Sequence, residues 1–241
     1  MVKIFEALER AERERTGERT AGTITPPKDI PRGQSLRQKL IAVCRNIESS
    51  VPEKKSRVVT FVGARPGEGT STLVREFAKV ASTDLGRRVV LVDVEHGLGG
   101  HHHHFGVKMN AGFEEVVANR SQLEDVLQPV QGESMFLGCV VTSEASVSSV
   151  VADLRFDDVI KRLREEADLV LFDAPPIIPV TDAGLLGAQT DGVIMVIQTN
   201  RTQRGVVKHG EGLLKQAQAK LLGYILTNVQ YHIPGYIYRY L

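Results

Sequence analysis

The sequence predicts an α/β domain in which a parallel β-sheet is covered by helices on both faces, a three-layer Rossmann-like arrangement. Short β-rich runs alternate with stretches of helical apolar period along most of the chain. Most of these runs are apolar throughout rather than alternating, as strands buried on both faces are. At 241 residues the chain holds one full domain of this kind with a sizeable core.

Taken in order, the first twenty residues carry ten charges of balanced sign, with Ile4, Phe5, Leu8 and Ala11 on one helical face. They predict a short amphipathic helix. Gly17, Gly22, Pro26, Pro27, Pro31 and Gly33 follow without apolar period, so residues 1–34 read as a helix and a flexible linker. Leu36, Leu40, Val43 and Ile47 then predict a helix ending before Pro52, which opens a domain over 35–230. Strands are expected at Val58–Val62, Val89–Asp93, Met135–Val141, Leu169–Phe172, Val193–Ile197 and Tyr224–Thr227, with covering helices at Thr72–Ala81, Phe156–Glu166 and Gln203–Gln218. Residues 231–241 form a tail that holds four of the five tyrosines, Tyr231, Tyr236, Tyr238 and Tyr240.

Composition narrows the function classes. Hydrophobic residues at 42% and charged residues at 24% exclude a wholly disordered or fibrous chain. Lys plus Arg is 30 against 29 for Asp plus Glu, so no global charge steers the protein to nucleic acid or an anionic membrane. No apolar run approaches the ~18–20 residues that cross a bilayer, and the charged N-terminus lacks a signal-peptide core. The expectation is a cytoplasmic protein. Cys44 and Cys139 cannot form a disulfide framework, and no His or Cys spacing around them reads as a zinc site.

The chemistry is concentrated at strand ends. Strand Val58–Val62 runs into GARPGEGTST, residues 63–72, and directly on into a helix. Strand, glycine-rich loop and helix N-terminus turn consecutive N–H groups and the helix dipole toward an anion, and phosphate is the natural tenant. With Ala64 as first position of the Walker A pattern, Gly69 falls correctly and Ser71 stands where a hydroxyl ligands Mg²⁺. Thr70 stands where the lysine belongs. One charge-assisted hydrogen bond contributes roughly 1.5–3 kcal/mol to binding, a loss that the amides of Gly67 to Thr72 and a metal tolerate. A cation opposing transition-state charge contributes on the order of 10³–10⁵ in rate, so catalysis is the more exposed property. Arg65, four residues before Gly69, has the length to bring a guanidinium back to the phosphates. Asp93 and Glu95 end one buried run and Asp173 another, at the sheet edge where ligands bind in this architecture. Converging carboxylates there suit a hydrated Mg²⁺, with one free to accept a proton.

PGEGTST, VVLVDVE, FGV at Phe105–Val107, FDAPPI at Phe172–Ile177 and TDGVIMVIQTNRT at Thr190–Thr202 occur in one order from about Ser35 onward. Together they resemble the bacterial tyrosine autokinases of capsule and exopolysaccharide assembly, which are P-loop ATPases. The resemblance implies ATP and Mg²⁺ as cofactors. It assigns Arg65, Gly67, Glu68, Gly69, Thr70, Ser71, Thr72 and Asn228 to the nucleotide, with Thr227 the alternative to Asn228. Ser71, Asp93 and Asp173 would hold the metal, and Asp93, Glu95 and Asp173 are the catalytic set. The tyrosine tail resembles the family's autophosphorylation cluster; the other reading is rings packed on a surface. A membrane-anchored polysaccharide co-polymerase or activator is the implied partner, recruiting the chain to the inner face of the membrane, and a homo-oligomer is expected.

Several positions depart from that pattern. Besides Thr70, Glu95 replaces the second aspartate, and Gly97 and Leu98 replace a basic pair. Gln38, Ile41 and Cys44 occupy the places of the Glu-x-x-Arg-x-x-Arg ring motif. A pseudokinase acting as scaffold or regulator is therefore the alternative function, and a partitioning-type ATPase a third. The run His101–His104 is expected to be solvated, since consecutive helical side chains point about 100° apart and cannot all reach one ion.

Overall fold

In the computed structural model the described residues are 35–51, 54–94, 100–109, 111–140, 150–153, 155–178 and 182–229. The expected N-terminal helix, Glu95, Gly97, Leu98 and the four tail tyrosines lie outside them. Helix α1, Leu36–Ser50, starts at a capping box in which the Ser35 hydroxyl accepts from Gln38 N–H and the Gln38 side chain accepts from Ser35 N–H. Strand β1 is Arg57–Gly63, helix α2 Thr70–Thr83 and β2 Val89–Asp93. Three short helices follow, α3 at His101–Phe105, α4 at Phe113–Val117 and α5 at Leu123–Val126. The chain continues through β3 at Gln128–Pro129, β4 at Met135–Cys139, α6 at Phe156–Glu166 and β5 at Leu169–Ala174. It ends with α7 at Asp182–Ala188, β6 at Gly192–Gln198, α8 at Arg204–Gln216 and β7 at Leu221–Thr227.

The strands form one sheet in the order β3-β4-β2-β5-β1-β6-β7. Every neighbouring pair is parallel except β3 with β4. The parallel order bears out the expectation. The two-residue β3 was not expected, because a pair ending in proline carries no strand period.

Alternation of side chains across the pleat divides the core into two layers. On one face Val58, Val62, Val90, Val92, Val170, Phe172, Val193 and Met195 pack with Phe156, Ile160 and Leu163 of α6, Leu186 of α7 and Leu214 of α8. On the other, Val59, Phe61, Leu91, Leu171 and Val196 pack with Leu40, Cys44 and Ile47 of α1 and Val74, Phe77 and Ala78 of α2. The Phe61 and Phe77 rings lie 5.5 Å apart, and Phe172 is flanked by Phe113 and Phe156 at 6.1 and 6.3 Å. Cys44, at a ring-motif position, is a core residue 3% exposed. Among the described residues no helix is long and apolar enough to cross a membrane.

One buried charge fastens the edge of the sheet opposite the phosphate loop. Asp191 accepts from Val58 N–H at 2.8 Å, from Arg164 at 2.7 and 2.9 Å, and from Lys54 at 2.5 Å. Burial pushes its carboxyl up, but hydrogen bonds from Arg164, Lys54 and Val58 outweigh this and hold it below the ordinary value. A depressed carboxyl contributes stability that is present above its unfolded value and lost as pH falls through the folded one. Asp191→Asn is expected to lower stability by about 1.5–3 kcal/mol at neutral pH. The same variant should lose part of the wild-type's decline in stability below about pH 4. Urea unfolding over a pH series checks both.

Candidate functional site at the carboxyl edge of the sheet

The loop between β1 and α2 is built by backbone conformation. Gly67 and Gly69 have φ of 79° and 83°, the left-handed region that glycine enters without steric cost. A side chain at Gly67 would also meet Arg201 Nη1 at 2.8 Å. Gly69 is the N-cap of α2 and supplies no side-chain cap, and the first turn holds no acidic residue. The first helical hydrogen bond of the turn runs from Leu73 N–H to Gly69 O at 2.9 Å, so the N–H groups of Thr70, Ser71 and Thr72 have no intrahelical acceptor. The positive end of the helix dipole stays uncompensated by its own side chains, which suits an anion.

Four hydrogen bonds fix this loop to the ends of β6 and β7 and the turn after β6. The buried Glu68 carboxylate accepts from the Thr202 hydroxyl at 2.5 Å and from Gln198 N–H. Glu68 O accepts from the Thr227 hydroxyl at 2.8 Å, and Gly67 O accepts from Arg201 Nη1 at 2.8 Å. The Glu68 side chain, assigned to nucleotide by resemblance, thus serves as a brace. Thr70 is buried beside Gly63, its Oγ1 2.9 Å from where a Gly63 Cβ would stand. Ser71 is half-buried, whereas Arg65 and Thr72 are exposed. Asn228 is exposed at φ 50° and receives the Thr199 hydroxyl on its main-chain oxygen at 2.6 Å. Thr227 is the residue that touches the loop.

The carboxylates are positioned by strand register. β5 lies between β1 and β2, and Asp93 is paired directly with Asp173 across β2 and β5. Their side chains therefore share a face of the sheet, and both are buried, 6% and 1% exposed. The first residue of α3 joins them. His101 is 1% exposed, its Nε2 lies 2.8 Å from Asp173 Oδ2, and its main-chain N–H donates to Asp93 Oδ2 at 3.0 Å. This corrects the expectation of a solvated histidine run. His103 and His104 are exposed as expected, but one turn of helix cannot place four neighbours in solvent while its first residue lies against the sheet edge. One ligand atom from each of Asp93, His101 and Asp173 lies within 4.8 Å of the others, so the trio could hold a metal ion. Two carboxylates fit a divalent cation, but imidazole is foreign to the oxygen shell that Mg²⁺ prefers. His101 and Arg201 are the residues that sequence reasoning missed. The helical period alone requires the four histidines to differ in environment, without saying which is buried.

A glycine-capped helix N-terminus after the central strand, with aspartates ending neighbouring strands, defines a P-loop nucleoside-triphosphatase fold. The curated relatives make the class narrower: they are bacterial tyrosine-protein kinases. The chain is 29% identical over 186 residues to the tyrosine-protein kinase YwqD of Bacillus subtilis, spanning 76% of each. It is 27% identical over 192 residues to the tyrosine-protein kinase ptk of Acinetobacter johnsonii, covering 79% of this chain but only 26% of that longer protein. No family model matches. Among solved structures, the BceF tyrosine kinase domain superposes with a TM-score of 0.69 at 26% identity, over 90% of this chain and 86% of that one. The kinase domain of Escherichia coli tyrosine kinase ETK gives 0.76 at 20% identity, over 91% and 86%. MinD of Pyrococcus horikoshii complexed with Mg-ADP gives 0.58 at 24% identity, over 76% and 75%. The latter two, at lower identity, bear on the fold alone.

The brace predicts a local response. Glu68→Ala is expected to raise amide exchange across residues 67–70 roughly tenfold or more, the equivalent of one charge-assisted hydrogen bond. Hydrogen-exchange mass spectrometry checks this, with the peptides of β5 serving as the unchanged control.

Proposed function

We propose that this chain is a nucleotide-binding protein of the tyrosine autokinase kind, which binds ATP at the Gly67–Thr72 loop and transfers its terminal phosphoryl group to the tail tyrosines. The observation that carries the reading is the loop's uncapped amides lying at the same sheet edge as the register-paired Asp93 and Asp173. The kinase relatives support the choice of reaction.

Each residue then has a role set by its place. The amides of Thr70 to Thr72 bind phosphate oxygens, and Glu68 and Arg201 keep them aligned by holding the loop. Thr227, beside the loop, is better placed than Asn228 to border the nucleotide. Ser71, Asp93 and Asp173 would hold a divalent cation, which supplies neutralisation of phosphate charge. A carboxylate, Asp93 or Glu95, accepts the tyrosine proton as the hydroxyl attacks. Acting with a membrane-anchored partner in polysaccharide export, as a homo-oligomer, belongs to the same proposal.

Thr70 favours a second reading, a scaffold that binds nucleotide weakly or not at all and does not turn it over. It leaves the loop without the motif lysine that would oppose developing charge, and the buried threonine cannot substitute. The two readings separate in one comparison. ATP titration by calorimetry and a phosphotransfer assay are run on wild type, Thr70→Lys and a variant with Tyr231, Tyr236, Tyr238 and Tyr240 changed to Phe. The kinase reading expects wild-type tail phosphorylation that the tyrosine variant loses. If only Thr70→Lys transfers phosphate, with a gain on the order of 10³ or more, the native chain is the scaffold. Absence of ATP binding by wild type would sink the kinase reading, and tight ATP binding with measurable turnover would sink the scaffold.

A further inference from the structure

We propose that Asp93, His101 and Asp173 form a mixed nitrogen–oxygen site for a transition-metal dication of the Mn²⁺, Co²⁺ or Zn²⁺ class, in preference to Mg²⁺. The site coincides with the proposed phosphate pocket, so the inference deepens that reading, but it concerns metal bound without nucleotide.

The donor set comes from the end of β2, the start of α3 and the end of β5, and its ligand atoms lie within 4.8 Å of one another. Ligands at right angles on bonds of about 2.1 Å stand about 3 Å apart. His101 Nε2 and Asp173 Oδ2, at 2.8 Å, already have nearly that separation. Asp93 is oriented toward the pair by the His101 main-chain N–H, the kind of supporting contact that fixes a ligand's direction. Gly100 makes this approach possible, because a Cβ there would meet Asp93 Oδ2 at 3.1 Å and His102 Nδ1 at 2.8 Å.

A second observation is independent of the clustering. Asp173 Oδ1 and His101 Nδ1 are buried with no hydrogen-bond partner among the described residues, on side chains each 1% exposed. A buried polar atom left unpaired costs about 1–3 kcal/mol. A dication bound at Asp173 gives that carboxylate a partner and, with Asp93, balances two negative charges. The imidazole decides the class of ion. Mg²⁺ takes an oxygen shell and dehydrates reluctantly, whereas imidazole suits the later first-row metals.

The test uses the full chain without nucleotide, with His102, His103 and His104 changed to alanine so that the exposed histidines cannot bind metal adventitiously. Mn²⁺ binding is followed by electron paramagnetic resonance, with Mg²⁺ and Zn²⁺ as competitors. The proposal expects one Mn²⁺ per chain, displaced by Zn²⁺ but not by an equal concentration of Mg²⁺. His101→Gln, which keeps an amide donor toward Asp173, should weaken Mn²⁺ at least tenfold and remove its advantage over Mg²⁺. Asp173→Asn should weaken every metal. Thermal melts with and without Mn²⁺ accompany each variant, and a folded His101→Gln protein must lose the metal-induced rise that its parent shows. Mn²⁺ affinity unchanged in folded His101→Gln overturns the proposal. So does metal binding that vanishes with His102 to His104, or a Mg²⁺ affinity that improves when His101 is removed, which would make the imidazole a plug. Because ATP is absent, failure of the nucleotide reading shows up separately in the titration above.

Discussion

The parallel pairing of β2 with β5 is the constraint on which the site depends. Asp93 and Asp173 lie eighty residues apart in sequence, yet their direct register pairing brings their side chains to the same face at the same height. A one-residue slip would turn one carboxylate to the opposite face. Val90 and Val92, with Val170 and Phe172, belong to one core layer, while Leu91 and Leu171 belong to the other. A slip would move the slipped strand's residues to the wrong layer, so packing of the strand bodies guarantees the geometry of the strand ends. The buried hydrophobic residues thereby position the charges at the strand ends.

The phosphate loop obeys a similar economy. Two positive-φ glycines shape it, but conformational freedom that permits a turn does not hold it in one place. Glu68 within the loop does the holding with Gln198, Arg201 and Thr202 at and after the end of β6 and Thr227 at the end of β7. On the proposed reading, amides preformed in this way would let the loop take an anion without a lysine, since reorganisation is avoided at binding. Arg201 also brings a cation to the loop from a different part of the chain. Its guanidinium is bonded to a carbonyl, so its first effect is on loop geometry.

The strands were legible because burial on both faces leaves a run of apolar residues that few other elements show, as in Val89–Asp93 and Leu169–Ala174. The glycine loop and the two aspartates were legible because strand, loop and helix occur in immediate succession. His101 was not, since identical neighbours carry no period and the burial of one depends on where Gly100 delivers the chain against β2. Nor was the brace: Glu68 sits inside the motif, but its partners Gln198 and Thr202 approach only after β6 is placed beside β1. Asp191 was similarly silent. Its partners come from two distant segments, Lys54 and Val58 from around the start of β1 and Arg164 from α6, and no local pattern joins them to it.

Thr70 and His101 bear jointly on the proposed reading, because both would alter the charge met by a polyphosphate. Thr70 leaves no positive charge where the resembled pattern has a lysine, while Asp93 and Asp173 place two acidic groups at the same sheet edge. On the proposed reading a phosphate chain arriving there would meet net repulsion unless a dication lies between. A weakly held Mg²⁺ that arrives with the nucleotide must offset that repulsion at the moment of binding. A metal gripped beforehand by two carboxylates and an imidazole has already neutralised them, so the phosphates encounter a site whose electrostatics no longer oppose them. The histidine would then compensate for the missing lysine by securing the ion that replaces its charge, although an imidazole cannot follow the migrating phosphoryl group as a lysine side chain can. On that reading the difference would bear more heavily on turnover than on affinity, so binding and transfer would be lost separately.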